Sequence, residues 1–144
     1  MAVQIILGSM MVIATTIIQS GFTVAAVRAL RLRVSKELPR SLWHSTLMLA
    51  LFVLWLFLAT ILQVWAWALL YLALNALGSI EEAAYFSMET FTTLGYGDIT
   101  LERNWRLLST FEAANGLLMF GWSTALVFAA VQWIYRTRTQ APRK

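Results

Sequence analysis

The chain has 144 residues, of which 60% are hydrophobic and 12% charged, with a formal net charge of +4 and a mean hydropathy of +0.69. That apolar share excludes an ordinary soluble domain and predicts a bilayer protein, while the lack of any cysteine removes thiolate chemistry and Cys-based metal sites. The positive charge does not point to nucleic acid, because Lys and Arg sit beside apolar runs and not on a soluble face.

In chain order, the first apolar segment runs from about Val3 to Val27 without a charged residue. It has no basic n-region and is too long for a signal h-region, so it is expected to remain as a membrane helix. It carries Thr15, Thr16, Gln19, Ser20, Gly21 and Thr23, polar or small groups suited to packing against another helix. Residues 28–44 form a basic linker containing Arg28, Arg31, Arg33, Lys36 and Arg40, which suits anionic lipid headgroups. Trp43 and the single His44 in that linker read as interface residues.

A second span is expected from Ser45 to Leu77 and a third from Leu107 to Tyr135, followed by a basic tail over 136–144 with Arg136, Arg138, Arg143 and Lys144. Each span exceeds the ~20 residues that ~30 Å of hydrocarbon requires. By the positive-inside rule both basic clusters are cytoplasmic, which leaves the N-terminus and the 78–106 connection outside. That connection holds Glu81, Glu82, Glu89, Asp98 and Glu102.

Within it, Ile80 to Thr92 predicts a short helix capped by Ser79, with Glu81 and Glu82 complementing its dipole. A helix that short cannot cross, so it must enter and return on one side, and the non-helical backbone after it needs protein or a cavity around it. Gly95 and Gly97 then permit unusual backbone angles and a close approach of chains. Their carbonyls are free to face a ligand.

Thr93-Leu94-Gly95-Tyr96-Gly97-Asp98 resembles the selectivity-filter signature of the potassium channel family, usually Thr-Val-Gly-Tyr-Gly-Asp, and the whole resembles its small prokaryotic pore-loop members. The resemblance covers roughly Gly78 to Ala130 together with the outer helix before it. It implies an all-α membrane protein with three transmembrane helices, a re-entrant pore helix and a filter loop, assembled as a fourfold ring. The pore domain would occupy 45–135, with 1–27 as one added helix. It further implies a K⁺-selective homotetrameric channel in the cell membrane, with K⁺ as permeant ion held by Thr93, Leu94, Gly95 and Tyr96 and with Gly97 supporting the outer mouth. Leu94 departs from the usual Val or Ile, which bears on packing behind the filter. A weakly selective cation channel and a non-conducting scaffold or auxiliary subunit are the alternatives.

The resemblance also implies filter support from Glu89 and Asp98, either sharing a proton or with Asp98 solvated and Glu89 bonded to local backbone. Gly116, and after it Gly121, match an inner-helix gating hinge, though either glycine serves equally for close packing. Thr124, Ala125 and Phe128 are candidates to line the intracellular half. Glu112, an acid about two turns into a span, faces a cavity or partner, or snorkels to the rim; with Asn115 it suggests a polar cluster behind the pore helix. No helix repeats Arg as a voltage sensor does, and a single His leaves no hydrolytic or metal constellation, so an enzyme is not expected.

Overall fold

The computed structural model describes residues 1–34 and 42–139, with side chains over 1–29 and 43–136. Lys36, Arg40, Arg143 and Lys144 of the expected basic clusters lie outside the described residues. Four helices make up the rest: α1 Ala2–Val34, α2 Leu42–Ala73, α3 Ile80–Phe91 and α4 Arg106–Thr139. There is no strand among the described residues. Three helices are long and apolar enough to cross a membrane, over Ala2–Ala29, Trp43–Ala73 and Arg106–Arg136.

Several helix ends differ from the hydropathy reading: α2 begins at Leu42, which places Trp43 and His44 on the helix and not in the linker, and α4 runs on to Thr139. α1 continues past Val27 to Val34, because Arg, Ala and Leu in that stretch are strong helix formers and no glycine or proline interrupts them. α2 stops at Ala73 although apolar residues continue to Leu77. Asn75 takes a left-handed φ of 51°, and the Asn75 and Ala76 amides turn back to the carbonyls of Leu72 and Tyr71 at 2.9 Å each. That Schellman arrangement ends a helix through backbone geometry, which hydropathy does not register.

The helices pack in a consistent sense. α1 runs parallel to α4, since Gln4 Oε1 accepts from the Leu107 amide at 3.0 Å, Asn115 Nδ2 donates to Thr15 Oγ1 at 2.9 Å, and Gln19 Nε2 donates to Ser123 Oγ at 3.1 Å. It runs antiparallel to α2, where Gln63 Nε2 donates to Gln19 Oε1 at 2.8 Å and the Trp55 indole donates to the Phe22 carbonyl at 3.0 Å. The added helix is thus bound to its own chain by the polar residues that its sequence singles out. Thr15, Gln19, Gln63 and Asn115 are all fully buried, and pairing spares most of their polar atoms the cost of standing unsatisfied in hydrocarbon, Gln63 Oε1 alone among them being left without a partner.

α3 wedges between α2 and α4. The core around it contains Val64, Trp67, Tyr71, Phe86, Phe91 and Leu108, with the Tyr71 and Phe86 rings edge-to-face at 5.3 Å. Twelve residues of α-helix reach only ~18 Å, well short of a bilayer. α3 therefore serves as an inserted element that positions the loop after it.

Candidate functional site

The site is assembled from the two ends of α3. At its start Ser79, at φ −140° and ψ 160°, caps the helix. Its Oγ accepts from the Glu82 amide at 3.1 Å, while Glu82 Oε2 accepts from the Gly78 amide at 3.1 Å. The two side chains satisfy backbone donors reciprocally, as a capping box does. The expected cap is the one observed.

At the other end the helix stops by the same kind of turn that ends α2. The Leu94 amide donates to the Glu89 carbonyl at 2.8 Å and the Thr93 amide to the Thr90 carbonyl at 3.0 Å, with Thr93 in the left-handed position at φ 59°. Helices that stop this way usually place Gly or Asn there. A β-branched threonine in that region is strained by ~1–3 kcal/mol and persists only where the surroundings hold it. Here the Gly95 amide also donates to the Glu89 carbonyl at 3.3 Å, so one carbonyl gathers two amides and pins the turn.

Left-handed angles then recur at alternate positions: Thr93 at 59°, Gly95 at 57° and Gly97 at 76°, while Leu94 and Tyr96 keep negative φ. Alternation of this kind removes the up-and-down pleat of an extended strand, in which successive carbonyls oppose one another. Peptide groups of Thr93 to Gly97 can then present their carbonyls to one side. Leu94 is 57% exposed and Tyr96 70% exposed, so neither side chain is covered by its own chain. Beside the loop lies a cavity of about 420 Å³ whose walls include Glu89, Thr90, Gly95, Gly97, Arg106 and Thr110.

Glu89 and Asp98 both hold this loop, and their carboxyls lie within hydrogen-bonding reach of each other. Glu89 is buried and its Oε2 accepts from the Tyr96 amide at 3.3 Å, while Asp98 is exposed and accepts from the Tyr85 hydroxyl at 2.9 Å. Burial first, and then the neighbouring Asp98 carboxylate, push the Glu89 carboxyl above its ordinary range against the lowering effect of the Tyr96 amide. The Asp98 bond likewise pushes the Tyr85 phenol up. Tyr85 was missed in the sequence. Only its position four residues before Glu89, one turn back on the same face, could have signalled it.

Of the two glycines on α4, Gly116 has a packing reason. A Cβ built there would stand 1.9 Å from the Phe91 carbonyl oxygen, whereas one at Gly121 would meet nothing within 4 Å. Glu112 does not snorkel: it is fully buried, its Oε2 accepting from the Tyr71 hydroxyl at 2.6 Å and its Oε1 from the Ser87 hydroxyl of α3. Asn115 pairs with Thr15 instead of joining that cluster. Thr124, Ala125 and Phe128 are uncovered by the chain.

A family model described as an ion channel matches residues 50–132. The chain belongs to this ion channel family. The matched region takes in most of α2, all of α3, the loop of alternating angles and α4 up to Gln132, and it leaves α1 outside. No curated protein and no solved structure matched. As an ion channel domain and not an enzyme, the region needs no bond-making chemistry from its side chains.

Proposed function

We propose that the protein is a K⁺-selective channel, a homotetramer in which four 93–97 loops meet on a common axis and strip K⁺ of its hydration shell. The observation that carries the reading is the alternation of left-handed angles at Thr93, Gly95 and Gly97 in the sequence Thr-Leu-Gly-Tyr-Gly. In the ring, carbonyls of Thr93, Leu94, Gly95 and Tyr96, with the Thr93 hydroxyl, form stacked oxygen cages for K⁺, and Gly97 supports the mouth. A single loop cannot surround a cation, so the site needs copies of the chain. The uncovered Leu94 and Tyr96 side chains give each copy an apolar surface for its neighbour. α3 aims its C-terminal, electronegative end into the membrane, favouring a cation there.

The proposed topology puts the N-terminus and the loop outside and the basic linker and tail on the cytoplasmic face, the linker against anionic headgroups. Thr124, Ala125 and Phe128 would line the inner half of the pathway, and Gly121, which no neighbour crowds, suits a hinge better than Gly116.

Flux from liposomes holding the purified protein tests the reading, with K⁺ or Na⁺ as permeant ion and Ba²⁺ as blocker. K⁺ flux well above Na⁺ flux and stopped by Ba²⁺ is expected. Equal flux of both ions would make the chain a weakly selective cation channel. No flux from an assembled tetramer in any condition would turn it into a scaffold.

A further inference from the structure

The pore helix is held from behind by a buried cluster of three side chains, one from each matched helix. Tyr71 of α2 donates to Glu112 Oε2 at 2.6 Å, and Ser87 of α3 lies between Glu112 Oε1 and the Val64 carbonyl of α2, 2.8 Å away. Ser87 and Glu112 have no exposed surface, nor has Tyr71. One turn further along both helices, Gly116 meets the Phe91 carbonyl with no room for a Cβ, and the Phe91 and Phe120 rings stand at 5.9 Å. Ser87 and Phe91 are one turn apart on α3, as Glu112 and Gly116 are on α4, so two successive rungs join one ridge of each helix. Such a pair fixes both the height and the roll of α3 against α4.

The fixed roll matters because of what α3 carries on its other side. Glu89 lies about 200° around the helix from Ser87, given ~3.6 residues per turn. From there its carbonyl holds the Leu94 and Gly95 amides and its carboxylate the Tyr96 amide. A rigid helix of this length rotates as a body, so slackness at Ser87 displaces Glu89 and lets the strained turn at Thr93 relax.

We propose that Glu112 is a positioning residue for the filter: through Ser87 it sets the register of the pore helix on α4, and thereby the geometry of the loop that α3 ends in. It touches no ion. Because it sits on α4, any displacement of that helix reaches the filter through this same bond. The consequence for ion discrimination rests on the K⁺-filter reading; the effect on loop geometry does not.

Hydrogen counting selects the variants. The Ser87 hydroxyl has one hydrogen and two oxygens within reach. In Glu112→Gln the amide Nε2 donates to Ser87 Oγ, Ser87 donates to Val64, and the amide oxygen accepts from Tyr71, so both hydroxyls keep their partners and one amide hydrogen is left over. Glu112→Ala leaves both hydroxyls without that partner. Ser87→Ala deletes one oxygen and leaves almost no cavity, so it tests the link even if Glu112→Ala fails to assemble.

Amide hydrogen exchange of the full-length protein in liposomes gives a readout independent of conduction. Ser87→Ala and Glu112→Ala are expected to speed exchange in the 89–97 peptide by about tenfold, the scale of leaving one buried hydrogen-bonding group without its partner. Glu112→Gln should stay within about threefold of the parent, and peptides from 122–136 should not change, which separates positioning from general loosening. K⁺ and Na⁺ flux on the same samples reports the functional arm, with a reduced K⁺/Na⁺ ratio expected for Ser87→Ala. Unchanged 89–97 exchange in Ser87→Ala, or acceleration spread equally over 122–136, would overturn the proposal. Loss of ion preference in the parent itself would overturn the K⁺ reading and leave the exchange result to decide this one.

Discussion

Glu89 is the residue on which most of the loop depends, since its carbonyl takes two amides and its carboxylate a third. Its carboxyl ordinarily titrates near 4.5 and is pushed above that by burial and by Asp98. A raised carboxyl makes the folded state hold its proton where the unfolded chain has released it. Its stabilising contribution is therefore fully present below 4.5 and is lost as pH rises through the raised value. Thermal midpoints of the assembled protein, measured from about pH 4 to about pH 8, should fall with rising pH over that window. Glu89→Gln, which keeps an acceptor for the Tyr96 amide, should flatten the slope. Gly116 supplies the second prediction at this scale. Gly116→Ala forces α4 off the last turn of α3, at or beyond the upper end of the ~1–3 kcal/mol typical of overpacking, and should abolish assembled protein on native gels. Gly121→Ala, with open space around it, should assemble normally.

At the scale of elements, α1 is tied to the channel domain through buried polar pairs and lies outside the region that the family shares. The Thr15–Asn115 pair joins it to α4 at the level of α3, and the Gln63–Gln19–Ser123 relay joins it to both α2 and α4. Interhelical pairs of this kind contribute about 0.6 kcal/mol on average in a membrane. A double-mutant cycle of Thr15→Ala and Asn115→Ala, read by thermal unfolding in detergent, should return a coupling of about that size. Absence of coupling would mean that apolar packing alone retains α1. The sequence marked Thr15 and Gln19 as packing residues, but which helix they meet depends on how each helix is rotated. α4 is apolar nearly all the way round, so no stripe of residues reveals its phase.

For the whole molecule, the uncovered Leu94 and Tyr96 side chains bear on the proposed assembly. Tyr96→Ala should lower the temperature at which the proposed tetramer dissociates to monomers on a gel, while leaving the monomer's helix content by circular dichroism unchanged. A dissociation temperature equal to the parent's would mean that the Tyr96 ring does not contribute to the subunit contact.

Chain length, apolar runs and permissive residues are local properties, and from them the three membrane helices, the capped short helix and the loop with Gly95 and Gly97 were legible before any coordinates. The resemblance of that loop to a filter signature rests on the motif Thr93 to Asp98 and not on those local properties. Partner choice was not legible. That Tyr85 holds Asp98, that Glu112 reaches Ser87 and Tyr71 while Asn115 turns to Thr15, and that Gly116 serves contact with Phe91 all depend on helix rotation and on contacts between distant parts of the chain. In a bilayer the apolar residues that dominate these helices carry little information about rotation. Sparse polar groups that must find one another settle it, and those meetings exist only in the folded chain.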